Sequence, residues 1–306
     1  MNQLKVIFFI FLVLTTSLTA RADEEAWELM LINSNKAIGQ WFDSFVEGID
    51  LFLVGKKITD RPNETSLRIE NSTFSSEGKP VSNVSSVAFN PRFNNLEEYM
   101  HLKFTTYDER EEGRGVKNRF LRTTPRERNY GATVGFFRKL GNIRTAFQPR
   151  VELQNPLKIS HSLTFESVAE FKTFKLNPKL ELYASPVRGV GTFQSINFNF
   201  ELTKIYSLTL INEGDYEERI HRYGVLNGFS IAQLITDTSS LSYSLLFSSN
   251  NRPHYHLEGY NLSVAWNEVL YKGIIDYQII PHLDFPLANN FKGIAGITFT
   301  FNLNFR

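Results

Sequence analysis

The stretch AGITFTFNLNFR, residues 295–306, alternates strictly between apolar and polar side chains. Successive side chains of an extended strand point to opposite faces, so this stretch has one apolar and one polar face. The apolar face carries Ile297, Phe299, Phe301, Leu303 and Phe305. In a soluble sheet that face packs into a core, whereas in a barrel within a bilayer it points outward and the polar face lines the interior.

The same alternation recurs from about residue 65 to the end of the chain. It is clear in SINFNFEL (195–202), SLSYSLLF (240–247) and EGYNLSVAW (258–266), and the runs are about nine to thirteen residues long. Strands of globular proteins usually have about 5–6 residues, whereas a tilted strand needs about 9–11 to cross a bilayer. We therefore predict an all-β, antiparallel, up-and-down transmembrane barrel rather than a soluble β-sandwich. The predicted strands are 65–74, 82–90, 97–107, 128–138, 143–153, 158–174, 180–186, 191–201, 204–213, 223–235, 240–249, 254–265, 270–280 and 294–306. That makes fourteen, or twelve if strands merge within 157–186.

The predicted connections alternate in length. Short ones are expected at 176–179, 236–239 and 266–269, and longer ones at 107–129, 212–222, 249–254 and 281–293. With an even number of strands, all the longer connections fall at the same end of the barrel. Short turns at one end and long loops at the other are typical of membrane barrels.

Composition agrees with a β-rich chain. It has 27 Phe and 12 Tyr among 306 residues, with 42% hydrophobic and 21% charged residues and no Cys. Aromatic residues favour strands, and the absence of Cys excludes disulfides and cysteine nucleophiles. The formal net charge is +1, so the chain lacks the basic field that a nucleic-acid-binding protein uses.

Residues 1–22 have the pattern of a cleaved secretory signal. Lys5 precedes the apolar run VIFFIFLVL, and Ala20-Arg21-Ala22 is a suitable cleavage site. The apolar run is shorter than the roughly 20 residues of a membrane-spanning helix. We therefore divide the chain into a signal peptide (1–22), a helix with its linker (23–63) and a barrel (64–306).

An amphipathic helix is predicted between the leader and the barrel. Apolar side chains recur there at three- and four-residue spacing, which places them along one helical face. Its members are Ile38, Trp41, Phe42, Phe45, Ile49 and Phe52. A polar lumen would offer this apolar face no apolar partner, so we expect the helix at the mouth of the barrel or at the membrane interface. In that position it could also contact a periplasmic partner.

Together, the leader, the alternating runs and the terminal strand resemble those of Gram-negative outer-membrane β-barrel proteins. The closing strand resembles the family's recognition signal for the barrel-assembly machinery, with Gly296, Phe299 and Phe301 in its glycine and aromatic positions. The polar position falls on Ile294, and the chain ends on Arg306 after the aromatic Phe305. The resemblance implies an outer-membrane location, with outer-membrane lipid and lipopolysaccharide around the barrel.

The alternation assigns charged residues of both signs to the interior. We expect them to line the lumen and influence which solutes pass, since Arg or Lys on the lipid face would cost about 2–4 kcal/mol near the midplane. The lumen candidates are Arg68, Glu70, Lys103, Arg144, Arg150, Glu152, Glu201 and Asp276.

Chemistry other than transport has weak support. His161 lies between Ser160 and Ser162, but neighbours on a strand face opposite ways, and the G-x-S-x-G pattern is absent. His254 and His256 are weak candidates for metal ligands. The 107–129 segment is expected to be a solvated external loop, whose Arg114, Lys117, Arg119 and Arg122 are an alternative site for lipopolysaccharide phosphates.

We therefore expect a porin-like channel or transporter for small solutes, without a cofactor or a nucleic-acid partner. The first alternative is a non-conducting structural or interaction barrel of the cell envelope. A lipid-active enzyme is a more remote one. The sequence leaves the solute and the state of the pore open.

Overall fold

The computed structural model describes residues 21–54, 65–93 and 100–305. The long helix, α1, is Arg21–Val54, and two short helices, α2 (Glu109–Glu112) and α3 (Val116–Phe120), lie in one loop. The barrel strands are β1 (Ser66–Ser76), β2 (Ser82–Asn90), β3 (Met100–Thr105), β4 (Gly131–Leu140), β5 (Ile143–Glu152), β6 (Lys158–Ser167), β7 (Lys175–Ser185), β8 (Gly189–Glu201), β9 (Tyr206–Glu217), β10 (Arg222–Leu234), β11 (Ser239–Asn250), β12 (His256–Leu270), β13 (Ile275–Pro286) and β14 (Ile294–Phe305). A two-residue strand, Ala169–Glu170, pairs only with the start of β7 and is not part of the ring.

The sheet closes on itself. Every strand pairs antiparallel with its neighbours in sequence, and β1 pairs with β14 from Leu67 opposite Phe305 to Ser76 opposite Gly296. β6 pairs directly with β7, which completes a ring of fourteen strands. The predicted fourteen-stranded barrel is confirmed, and the count of twelve is wrong. Closure satisfies the backbone of both terminal strands, as a wall within lipid requires.

The polar face of the wall is the inner one. In β14, Thr298, Thr300 and Asn302 are 1%, 6% and 3% exposed, whereas Ile297 and Phe299 are 47% and 41% exposed. This inverts the pattern of a soluble sheet, in which the apolar face is the covered one. The exposed apolar side chains form a belt around the barrel that suits a bilayer and not water.

Several predicted connections are wrong in place or length. The segment 176–179 lies within β7, and the turn falls at 171–174, where the Phe171 amide donates to the Phe174 carbonyl over 2.9 Å. Pro178 fits in the strand because the pairing of β6 with β7 ends at Lys179, so its missing N–H interrupts no bond to β6.

Other connections differ because the strands run past the apolar belt. β9 continues to Glu217 and β13 to Pro286, so the expected long loops at 212–222 and 281–293 are short. The predicted turn at 266–269 lies within β12. Only the segment between β3 and β4 is a long loop at its end of the barrel.

We call the end of the barrel where β1 begins and β14 ends the terminal rim, and the opposite end the loop rim. Helix α1 lies against the outer wall at the terminal rim. Asn35 Nδ2 donates to the Asn304 carbonyl over 2.6 Å, and Asp43 Oδ1 accepts from the Thr65 amide over 3.0 Å. The Phe42 ring lies 5.5 Å from the ring of Phe89, which points outward from β2.

The predicted helix is therefore present and begins at Arg21, two residues before the predicted start. The side chains of Phe45, Ile49 and Phe52 lie outside the part of the chain that the structure describes, as do residues 1–20, the linker 55–64 and Arg306. The signal peptide stays a prediction. None of the described helices is long and apolar enough to cross a membrane.

Gly296 has a packing role at the closing seam. It lies opposite His282, whose buried ring covers it on the inner face. A Cβ at this position would lie 2.7 Å from His282 Cε1 and 3.0 Å from the Ser75 carbonyl oxygen. Gly296, which occupies the glycine position of the predicted assembly signal, is thus also required by local packing.

We expect Gly296→Ala to lower the free energy of unfolding of the refolded barrel by about 1–3 kcal/mol, because its Cβ overlaps the His282 ring. Urea titration in detergent, without assembly machinery, measures the loss. The control is Gly224→Ala, where the nearest atom to a Cβ is 3.8 Å away. Adding His282→Ala should recover most of the loss, and a double variant as unstable as Gly296→Ala would contradict this packing explanation.

Candidate functional site

The connection between β3 and β4 folds into the barrel instead of projecting from it. We call residues 106–130 the inner loop. It contains α2 and α3, and both Arg110 and Leu121 are buried at 6% and 3% exposure. The expectation of a solvated external loop is therefore wrong.

A cluster of ion pairs attaches the inner loop to β1 and β2. Glu70 of β1 accepts from Arg122 and from Arg126, whose Nη1 lies 2.5 Å from the carboxylate. Glu112 of α2 pairs with the same two arginines, at 3.1 and 2.5 Å. Arg126 also donates to Ser86 of β2 over 2.7 Å. Two carboxylates shared by two guanidinium groups satisfy donors and acceptors that would be costly to bury singly.

A second group of contacts attaches the loop to β6 and β7. Arg110 donates to Ser160 and to Asp108, each over 2.6 Å. Arg114 donates to Glu181 over 2.8 Å, and its guanidinium carbon lies 3.8 Å from the centroid of the Tyr183 ring. The arginines thus turn inward: the side chains of Arg114 and Arg122 are 6% and 14% exposed, so their assignment to lipopolysaccharide phosphates is wrong.

The far side of the inner loop rests on apolar side chains of the opposite wall. Leu121 packs with Val116 against residues that point inward from five consecutive strands, β9 to β13. These residues are Ile211, Leu226, Leu246, Ala265 and Ile280. We call this group the apolar foot. It fixes the position of α3 across the lumen from the arginine clusters.

Two hydrogen bonds complete the attachment to that wall. Glu213 of β9 accepts from the Val116 amide over 2.9 Å, and Gln278 of β13 donates to the Phe120 carbonyl over 2.9 Å. Gly115, which precedes α3, has φ 92° and lies against the Glu213 carboxylate, so a side chain there would displace the acid. The loop therefore contacts strands on both sides of the lumen and crosses it.

Arg150 holds the base of the inner loop. It is fully buried in β5 and donates to Thr105 Oγ1 over 2.7 Å, Thr133 Oγ1 over 3.1 Å and the Asn129 carbonyl over 2.5 Å. One side chain thus joins the ends of β3 and β4 where the loop leaves and re-enters the wall.

Asp108 and Tyr107 are among the titratable groups of the loop whose pKa values depart from the ordinary ones. Burial by itself disfavours the Asp108 carboxylate, but the hydrogen bonds and charge of Arg110 hold its pKa below the usual value. Burial raises the pKa of Tyr107 to about 12, although Arg126 lies over its ring at 3.9 Å and opposes the rise. Both groups therefore keep their neutral-pH charge states in the docked loop.

Beside the inner loop lies a cavity of about 1150 Å³. Amide and hydroxyl side chains are the largest group in its wall, among them Asn177, Asn197, Asn199, Thr209 and Gln278. Charges of both signs also line it, including Lys139, Arg144, Lys179, Glu166 and Glu170. This surface is hydrophilic and carries no single sign of charge.

The strand register places all eight predicted lumen residues on the inner face. Glu70, Lys103 and Arg150 contact the inner loop, Lys103 through an ion pair with Glu109. Arg68 pairs with Glu70 at 3.7 Å, and Glu152 accepts weakly from Ser160 over 3.4 Å.

The other three candidates lie toward the terminal rim. Arg144 pairs with Glu166 at 3.5 Å and Glu201 with Lys175 at 3.2 Å, while Asp276 accepts from Asn302 and Asn304. The eight residues therefore belong to two zones, one around the inner loop and one toward the terminal rim. Their role in selectivity stays a prediction.

The strongest contacts involve residues that sequence reasoning missed, including Arg110, Arg126, Glu112, Glu181 and Glu213. A signal was available in the chain. The inner apolar residues interrupt the alternation as pairs of adjacent apolar residues: Leu210-Ile211, Leu245-Leu246 and Ile279-Ile280. A second apolar residue on an otherwise polar inner face indicates that something apolar covers it.

The histidine candidates are not brought into a site. The rings of His254 and His256 lie 5.8 Å apart, and no group of three or more metal-ligating side chains occurs among the described residues. His161 points outward near Phe147, whereas Ser160 and Ser162 point inward and are buried.

No protein-family model and no curated protein matches the chain. Solved structures resemble its barrel. The outer-membrane channel DcaP of Acinetobacter baumannii has 6% identity and a TM-score of 0.47 over 80% of this chain and 97% of that one. A loop L8 deletion mutant of OmpT, an outer-membrane protein of Vibrio cholerae, has 7% identity and a TM-score of 0.46 over 79% and 98%. The KdgM porin in complex with oligogalacturonate has 8% identity and a TM-score of 0.40 over 78% and 98%. At these identities the similarity concerns the fold alone, so the proposed function rests on the residues of the inner loop.

We expect Glu70→Gln to release the inner loop, because it leaves Arg122 and Arg126 with one carboxylate instead of two. Removing one member of a buried ion pair costs about 3–5 kcal/mol, so tryptic cleavage within residues 110–126 should accelerate about tenfold or more. Mass spectrometry of the fragments measures the rate. The control is Glu166→Gln, whose ion pair with Arg144 is largely exposed; equal cleavage of both variants would contradict the role of Glu70.

Proposed function

We propose that the protein is an outer-membrane channel for small hydrophilic solutes and that the inner loop forms its constriction. The observation that carries the proposal is a charged loop that crosses a polar lumen and is fixed to opposite walls. Such a loop narrows a water-filled passage while leaving it lined by groups that can replace the hydration of a solute.

The fold supports one orientation of the proposed channel. Both the start of β1 and the end of β14 lie at the terminal rim, which we place toward the periplasm, with the loop rim toward the outside. The lipid of the outer membrane would cover the apolar belt, and the assembly machinery would read Gly296, Phe299, Phe301 and Phe305 in β14. The proposed activity is transport and involves neither catalysis nor a cofactor.

The lining supports small, polar and mostly uncharged solutes over strongly charged ones. Amide and hydroxyl groups predominate along β7 to β13, and charges of opposite sign lie near each other, as in Arg144 with Glu166. Neighbouring opposite charges reduce the net field that a passing ion meets, so charge selectivity should be weak.

A second possible function is that of a non-conducting structural barrel, and the many attachments of the inner loop favour it. Because the loop contacts strands on both sides of the lumen, it would serve equally as a plug. The two functions differ in whether the intact protein conducts.

Planar-bilayer recording separates them. The intact protein should give steady single-channel conductance, and replacing residues 109–125 with a short Gly-Ser linker should increase it. A silent intact protein with a conducting loop variant would indicate a plug. Silence of both, with heat-modifiable gel migration showing that both are folded, would contradict a channel.

The pKa of Asp108 gives a pH prediction. A carboxyl group whose pKa is lowered on docking stabilises the docked loop above its ordinary pKa of about 3.9, and this contribution is lost as pH falls through the lowered value. Conductance should therefore be constant from pH 7 to 5 and rise only below about 4. Asp108→Asn keeps an N-cap acceptor for α2 but removes the charge, and should weaken the acid transition. A full transition between pH 7 and 5 would contradict this assignment.

A further inference from the structure

Helix α1 presents two parallel rows of side chains, and only one of them faces the barrel. Asn35, Gly39, Phe42 and Val46 follow a four-three-four spacing that keeps them on one face. Asn35, Gly39 and Val46 are buried, and Phe42 packs against Phe89. This row accounts for the docking of the helix.

The neighbouring row is apolar and open to the surroundings. The row consists of Trp27, Leu31, Ile38 and Trp41, whose spacings of four, seven and three residues keep them on one face of the helix. Of these, Trp27, Ile38 and Trp41 are 42%, 39% and 63% exposed. The Trp41 ring packs edge-on against Phe42 with centroids 5.0 Å apart, so the open row is held next to the docked one.

From Lys36 to Glu47 the remaining side of the helix is polar, whereas nearer the start of the helix the same side carries Leu29, which is 60% exposed. Lys36, Gln40 and Glu47 are exposed there. The helix therefore has three longitudinal zones: a docked face, an open aromatic row and a polar side. An exposed aromatic row beside a polar one is the pattern of helices that lie in a membrane interface.

The position of the helix identifies what covers this row. Phe42 contacts Phe89, whose ring lies 6.3 Å from that of Phe104, and both Phe89 and Phe104 point outward in the apolar belt of the wall. The open row thus continues the lipid-facing surface of the barrel at the terminal rim. Tryptophan is enriched at this depth because its ring is apolar and its N–H needs a polar partner.

We propose that α1 is an interfacial anchor whose row of Trp27, Leu31, Ile38 and Trp41 lies among the lipids of the leaflet at the terminal rim. The helix carries seven acidic and two basic residues, so its contact is apolar and needs no anionic lipid. This inference goes beyond the proposed channel and does not depend on whether the barrel conducts.

The chain has three Trp residues, Trp27, Trp41 and Trp266, which permits a direct test. Full-length single-Trp variants, with Phe at the other two positions, are reconstituted in phosphatidylcholine vesicles with brominated acyl chains. Trp266 points outward from β12 and is the reference for lipid contact. Trp41 and Trp27 should be quenched by brominated lipid to within about twofold of Trp266 and be protected from aqueous iodide.

A matched control lies one residue from Trp41. In a background with Phe at all three Trp positions, Gln40→Trp places the indole on the polar side of the same helix. It should be quenched by iodide and not by brominated lipid. Adding phosphatidylglycerol to the vesicles should leave the quenching of Trp41 unchanged.

Three results would overturn the proposal. Trp41 quenched by iodide but not by brominated lipid would place the row in water. Protection from both quenchers would indicate that another protein or a second copy covers it. Quenching that appears only with anionic lipid would show an electrostatic contact instead of an apolar one. Trp266→Phe is the one change within the barrel strands, and heat-modifiable migration verifies that each variant is folded.

Discussion

The pairing of β1 with β14 is the constraint on which the rest of the structure depends. Closure leaves no free sheet edge at the seam, so the wall can stand in lipid with its backbone satisfied. The bilayer then requires apolar side chains outside, and strict alternation sends every second side chain inside. The interior is consequently polar by construction, and it supplies the carboxylates and hydroxyls to which the inner loop binds.

The inner loop and the wall are stable only together. Glu70 and Glu181 would be costly as unpaired charges inside the barrel, and Arg114, Arg122 and Arg126 would be equally costly in a buried loop. Pairing them offsets two desolvation costs at once, although such networks contribute more to a defined geometry than to net stability. The apolar foot acts differently: it removes Leu121 and Val116 from water and fixes how far the loop crosses the lumen.

The barrel was predictable from sequence because the alternation of apolar and polar residues continues over some 240 residues. An error in the predicted ends of one strand therefore does not change the predicted architecture. Loop lengths were less predictable. The end of β9, NEGDYE, is polar, so alternation gives little contrast there, and the end of β13, PHLDFP, contains two prolines, which disfavour strands in general. The direction of residues 107–129 was mispredicted for a similar reason. A charged segment is equally compatible with solvent and with a charged lumen, and only the doubled apolar residues, such as Leu245-Leu246, distinguish the two.

The inner loop and α1 use the two surfaces of one wall in complementary ways. The loop brings arginines to a polar inner face and adds a small apolar foot, whereas α1 brings aromatic residues to an apolar outer face, with hydrogen bonds at Asn35 and Asp43 that help to set its position. Each segment is matched to the solvent on its side, water within and lipid without. In the proposed channel a solute would meet the inner loop and the amide-lined wall beside it, so β7 to β13 and the loop would determine which solutes pass, while the proposed anchor α1 would hold the terminal rim at its depth.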